Sequence, residues 1–270
     1  MRRTFLIFIG VLVCVHLHAQ FTIGTTGLLN MPTADMQRDK TFMFGGDFLE
    51  KHATPARWTY NTYNYYINIT LLPWLEVAYD CTLHKAMKCD PAYGYGFWPE
   101  QTWGKFTNQD RNFSVRLRLL KEGQLWKYMP AIVIGVNDVT TRPGDDSETN
   151  FSSPKGTGNG FWNRYFIVAT RHFAIHKIGE SGFHATYLYN KRTDYHFNGF
   201  AFGANFRFRL PGEQSFVKAI NNFNLMAEYD SKSINCGFEY GFWKDYINAV
   251  VEFNRCKYFS CGLVFKIHLK

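Results

Sequence analysis

Acyl transfer is the chemistry this chain could most readily support, because His172, His176, Ser181 and His184 lie close together in its sequence. A histidine beside a serine takes the hydroxyl proton as the oxygen attacks a carbonyl. Barrel-borne lipases and acyltransferases place such groups at an outer rim, facing outer-leaflet lipid. Here all four residues surround one tight turn that the strand pattern puts on the opposite, inward side. Neither G-x-S-x-G nor H-E-x-x-H occurs anywhere. The expectation is satisfied wall or turn histidines, and no enzyme. Metal ligands are also scattered: the pair His172 and His176 falls on a strand end, where residues four apart stand far from each other. No metal and no cofactor are expected. The acidic run Pro143 to Glu148 reads as a solvated loop rather than a calcium site.

Two longer stretches hold groups suited to binding. Residues 83–110 carry Tyr93, Tyr95, Phe97, Trp98 and Trp103 among glycines and polar groups, the combination with which proteins hold sugar rings. The same aromatics would equally serve to pack the loop on a rim or to sit in a membrane-interface belt. Residues 139–161 include "SPKGTGNGFW", where Gly156 and Gly158 permit positive φ angles and so a tight fold across a barrel mouth.

The elements that must position these groups start behind a leader. Arg2 and Arg3 precede the apolar run Phe5 to Val15, which closes on Leu17-His18-Ala19-Gln20. Residues 1–19 therefore read as a secretory signal peptide cut near Ala19 without lipidation. Its removal takes two arginines and no acids, so the formal charge goes from 30 − 22 = +8 to 28 − 22 = +6. That charge is spread along the chain, and no basic block points to nucleic acid. Five cysteines remain, Cys81, Cys89, Cys236, Cys256 and Cys261, and an odd number argues against an all-disulfide framework. Cys81 and Cys89 are placed to pair across a loop.

Aromatic residues reach 18% of the chain, yet its mean hydropathy is only −0.26, so apolar and polar residues must be interleaved. The interleaving is strict in places: Tyr63, Tyr65, Ile67, Ile69 and Leu71 alternate with Thr62, Asn64, Tyr66, Asn68 and Thr70. This period of two is a β-strand. It recurs in "NFSVRLRL" and "FAFGANFRFRL", and counting every such run gives twelve strands. They lie near 41–50, 61–71, 74–82, 111–120, 130–138, 162–173, 182–190, 199–210, 223–231, 234–243, 246–254 and 257–269. Each suits a tilted crossing of a bilayer, and the number is even, as a closed bacterial barrel requires. The face opposite the aromatics mixes Gly, Asn and Ser with Arg116, Arg118, Arg207, Arg209, Glu228 and Glu239, which become candidate lumen charges. Arg116 or Arg207 opposite Glu228 or Glu239 is the expected kind of pairing. The fold class is thus all-β: one antiparallel transmembrane barrel over 41–270, preceded by an extended segment over 20–40 that lies along or plugs the lumen. A short helix fits the connection 212–222.

That extended segment carries "GTTGLLNMPTA", with Gly27 and Pro32 setting its bends. The wording resembles the start of the YjbH family of outer-membrane proteins. The resemblance continues through "LPWLEVAYD", "FSVRLRLLKE", "PAIVIGVNDV", "GTG", "YFIVATRHF" and "LMAEYDSKSINCGFEY", nearly the whole mature chain. It implies a non-enzymatic barrel of the Gram-negative outer membrane that assists exopolysaccharide or capsule export or surface assembly. The implied partners are outer-membrane lipid, the polysaccharide, and periplasmic or outer-membrane export proteins. Larger relatives carry two barrels where this chain has room for one, and the family's short link before "GTG" is lengthened here by "VTTRPGDDSETNFSSPK". A general porin or small-hydrophobe transporter, and a secreted glycan-binding β-sandwich, are the other readings left open.

Overall fold

The alternation is realised as one closed antiparallel barrel in a computed structural model of the chain, which describes residues 23–54, 59–86, 99–138, 162–190 and 198–269. Its strands are β1 (Thr41–Leu49), β2 (Thr62–Leu72), β3 (Leu75–Lys85), β4 (Phe106–Leu120), β5 (Ala131–Asn137) and β6 (Arg164–Ile175). They continue with β7 (Gly179–Tyr189), β8 (Gly199–Phe208), β9 (Phe223–Tyr229), β10 (Ile234–Trp243), β11 (Ile247–Asn254) and β12 (Tyr258–His268). Each pairs with its neighbours in sequence, and the ring closes where Thr41 to Phe48 run against His268 to Cys261. Closure leaves no edge strand and so no unpaired ladder groups. It also replaces the two-sheet sandwich.

The connections alternate between the two ends of the barrel. At one end lie 73–74, 121–130, 176–178, 209–222 and 244–246, together with both ends of the strand ring, where Leu269 N–H donates to the Lys40 carbonyl at 2.9 Å. At the other end lie the long spans 86–105 and 138–163. The expected helix is α1 (Ser215–Asn221), in the connection between β8 and β9. Several strands run further than the alternation foretold, among them β3 to Lys85 and β7 from Gly179. β4 starts at Phe106, where "FTNQD" pairs with the end of β3, and β6 reaches Ile175 opposite Gly179. Ladder hydrogen bonds need no apolar side chain, so a strand can outlast its apolar stripe.

Burial inverts the usual arrangement. Along β2, Tyr63, Tyr65, Ile67 and Leu71 are exposed, and Thr62, Asn64, Tyr66, Asn68 and Thr70 are buried. Glu76, Asp80, Arg116, Glu228, Glu239, Glu252 and Lys266 all point inward and are at most 3% exposed. Side chains alternate across a strand, so one set must face the lumen. The segment before β1 occupies that lumen: Ile23, Leu28, Leu29 and Met31 are buried within it.

Candidate functional site: the plugged lumen

A segment lying inside a closed barrel finds no free strand to pair with, so its N–H and C=O groups must be met by wall side chains. The wall supplies carboxylates and an arginine. Gly27 and Pro32 form an antiparallel bridge, and Leu28 N–H donates to the Met31 carbonyl at 3.0 Å, which turns the chain back with Leu29 and Asn30 at the tip. The consecutive N–H groups of Leu29, Asn30 and Met31 all donate to the Glu228 carboxylate, at 3.1, 2.7 and 3.2 Å. Such a concavity of successive amides is an anion nest. The Asn30 side chain donates to Glu252 on β11 at 2.5 Å.

Either side of this tip is held as firmly. Thr26 donates through its N–H and its hydroxyl to Glu76, at 2.7 Å each. Glu76 also accepts from Asn68 and Arg116 at 2.7 Å, so four donors converge on one buried carboxylate. Arg116 uses its other terminal nitrogen on the Thr33 and Asp35 carbonyls at 2.5 and 3.0 Å. The Thr186 hydroxyl donates to the Pro32 carbonyl at 3.2 Å. The bonds made by Glu76 and Arg116 are charge-assisted, and such bonds are about twice as strong as neutral ones. The plug's apolar side chains belong to the same buried cluster as Val133, Phe166, Val168 and Leu188 of the wall. Room for them depends on glycine: a Cβ at Gly203 would run into Leu28 and Met31, and one at Gly24 (φ +65°) would run into the Tyr66 ring.

Two of the histidines, His172 and His184, join the wall network around this plug. Ala34 N–H donates to the Thr170 hydroxyl oxygen at 2.7 Å, Thr170 meets His184 Nδ1 at 2.9 Å, and His184 Nε2 meets Asn205 Oδ1 at 3.0 Å. Asn205 Nδ2 then donates to Asn224 Oδ1 at 2.8 Å. An amide oxygen only accepts, so Nε2 carries the proton and Nδ1 takes the Thr170 hydroxyl hydrogen, giving one ordered chain from plug to β9. His172 binds Glu122 through Nδ1 at 2.8 Å and lies 3.6 Å from Asp35 of the plug. Ser181 is on the opposite face of β7 from His184, so strand parity keeps the two apart.

Of the candidate lumen charges, Arg116, Arg207, Glu228 and Glu239 are buried inside. Arg118, on the same face of β4 as Arg116, and Arg209 sit at the rim rather than deep in the lumen. Arg118 is half-buried at the short-connection rim, where it donates to the Pro73 carbonyl, and Arg209 lies past the end of β8 with Glu180 at 3.4 Å. The expected partner of Arg116 also changes, from Glu228 or Glu239 to Glu76, which stands directly opposite it across β3 and β4 at 2.7 Å. Glu239 has Lys266 at 3.8 Å. Trp103, half-buried, forms a bridge with Ala86 beside β3. Tyr93, Tyr95, Phe97, Trp98, Cys89, Gly156, Gly158 and the leader over 1–19 lie outside the described residues. Glu76 and Glu252 were not among the candidate lumen charges, though both fall on the polar side of the strand alternation, which is the signal that could have found them.

A protein-family model described as exopolysaccharide biosynthesis protein YbjH matches residues 19–270, nearly the whole chain. The chain belongs to the YjbH family. The match takes in both the plug and all twelve strands, so in this YjbH-family chain the "GLLNMPTA" wording is the plug tip itself. A search of curated proteins finds no match.

Proposed function

We propose that this YjbH-family chain is an outer-membrane barrel that assists the export or surface assembly of an exopolysaccharide, without catalysing a reaction and with its lumen closed by its own N-terminal segment. The observation that carries the reading is the inverted barrel, apolar outside and charged inside. A wall bearing Ile167, Phe183, Phe200 and Phe202, all 49–65% exposed, is far larger than the apolar patches water tolerates. Lipid is the solvent that suits it.

Exposed aromatics with a polar tip gather at both ends of the wall. Trp74, Trp126, Tyr128 and Trp243 lie by the short connections, and Tyr63, Tyr165, Tyr189 and Tyr229 by the long ones. Such girdles flank the apolar band of membrane barrels. From Tyr63 to Leu72 the strand rises roughly 30 Å, or about 23 Å after a tilt near 40°, close to the usual ~25 Å band.

With the plug seated, the barrel acts as a docking or assembly factor for export proteins rather than as an open conduit. The test compares surface polysaccharide in cells lacking and carrying the chain, after the membrane-extracted protein has been shown to migrate heat-modifiably. Loss of the glycan together with barrel behaviour supports the reading. An unchanged glycan with reduced small-solute uptake replaces it with the porin.

A further inference from the structure

The turn from β11 to β12 carries a residue that its geometry does not favour. Asn254 accepts from Lys257 N–H at 3.1 Å, and the two central residues, Arg255 and Cys256, both have φ +53°. Within the three-residue connection 255–257, both central positions of this β-turn have left-handed backbone, a conformation that favours Asn and Gly. A cysteine there is held against its own conformational preference, and such outliers call for a local cause.

The surroundings supply one. The Cys256 thiol reaches back over the start of β10, donating to the Ile234 carbonyl at 3.7 Å. Two residues on, and on the same outward face as Ile234, is Cys236, which stands opposite Phe253 of β11 and so next to this turn, where it interacts with Cys256. Both are free thiols here, and Cys256 is exposed at the long-connection end. Cys261 stands apart from the pair on the outward side of β12, opposite Phe48 and Val251, and Cys81 is buried on β3.

We propose that Cys236 and Cys256 form a disulfide in the mature protein, tying β10 to the β11–β12 turn at the rim bearing the long connections. The pairing in cells rests on the reading that this chain is exported, since disulfides persist in oxidising compartments. The step is thiol–disulfide exchange with a disulfide-bearing oxidant. The exposed Cys256 thiolate attacks the oxidant's disulfide and displaces one of its sulfurs as a thiolate. The Cys236 thiolate then attacks the Cys256 sulfur of the mixed disulfide and releases the second. The pair loses two protons and two electrons, and the oxidant leaves as two thiols.

Full-length protein is extracted from membranes without reductant, one sample as isolated and one treated while folded with oxidised glutathione. Both are denatured in N-ethylmaleimide, then reduced, labelled with a second alkylating reagent and digested with trypsin. Cys236 and Cys256 are expected to carry only the second label, and Cys81 and Cys261 only the first. Without reduction, the peptide Ser233 to Lys244 is expected joined to Cys256-Lys257. Cys256→Ser leaves Cys236 open to N-ethylmaleimide, a change that a merely buried Cys236 would not show. First label on both cysteines in both samples overturns the pairing. Protection only after oxidised glutathione supports the pairing and overturns the exported location instead.

Discussion

Glu228 and Asp47 occupy equivalent positions on the lumen wall, each 3% exposed, yet their circumstances are opposite. Glu228 accepts three backbone N–H groups from the plug and the Asn235 amide. Among the described residues neither oxygen of Asp47 has a hydrogen-bond partner, and two more acids, Asp80 and Glu252, act on it electrostatically. The difference lies in where the plug reaches. Burial alone gives a carboxylate nothing; donors decide whether it stabilises the barrel or burdens it. The plug therefore acts as the counterpart of one set of wall acids, the other set having no such partner.

Substitutions can break or sharpen this contrast. The largest effect is expected from Glu76→Ala, which strands the fully buried Arg116 and frees Thr26. The cost should be about 3–5 kcal/mol, read as a lowered urea midpoint of the detergent-folded barrel. Replacing both partners, Glu76→Gln with Arg116→Met, should recover much of it. Next comes Gly24→Val, whose side chain must adopt a positive φ against the Tyr66 ring. It should cost about 1–3 kcal/mol and, by unseating the plug, raise liposome swelling by small sugars above the wild-type baseline. Unchanged swelling would mean the plug is not what closes the lumen.

Glu228→Gln keeps the shape but turns an acceptor-only group into one with its own N–H donors facing the nest. A loss of about 1–3 kcal/mol is expected in the same urea titration. The smallest effect belongs to Asp47→Asn, expected to change stability by less than about 0.5 kcal/mol or to raise it, because no donor is lost. A loss as large as that of Glu228→Gln would erase the distinction between the two acids.

Strand alternation was legible because the outward-facing and lumen-facing sides differ in chemistry, and a period of two registers every change of side. Where both sides are apolar the signal fades: "YFIVA" on β6 puts Phe166 and Val168 inside and Tyr165 and Ile167 outside, with no polar residue to mark the face. Pairings were not legible. Asn30 and Glu228 are 198 positions apart, and Glu76 meets Arg116 only because β3 and β4 adopt one particular register. Shear fixes that register, and composition does not record shear. The resemblance of the opening wording to a family pointed at the plug, but the reason for each residue in it became clear only with its partners.

The plug runs into β1 without interruption at Lys40 and Thr41, and β1 is one of the two strands that seal the ring. The segment is thus enclosed by the very strand it leads into. A plug threaded after sealing would have to pass the rim, so the simplest order lays it on the still-open sheet, with β1 and β12 zipping last. That final pairing joins residues more than 200 positions apart, such as Thr41 and His268, the costliest kind of contact for a chain to find. On that order assembly finishes at the seam: until β1 and β12 pair, the acids that will hold the plug face water, and the interior is not yet an interior.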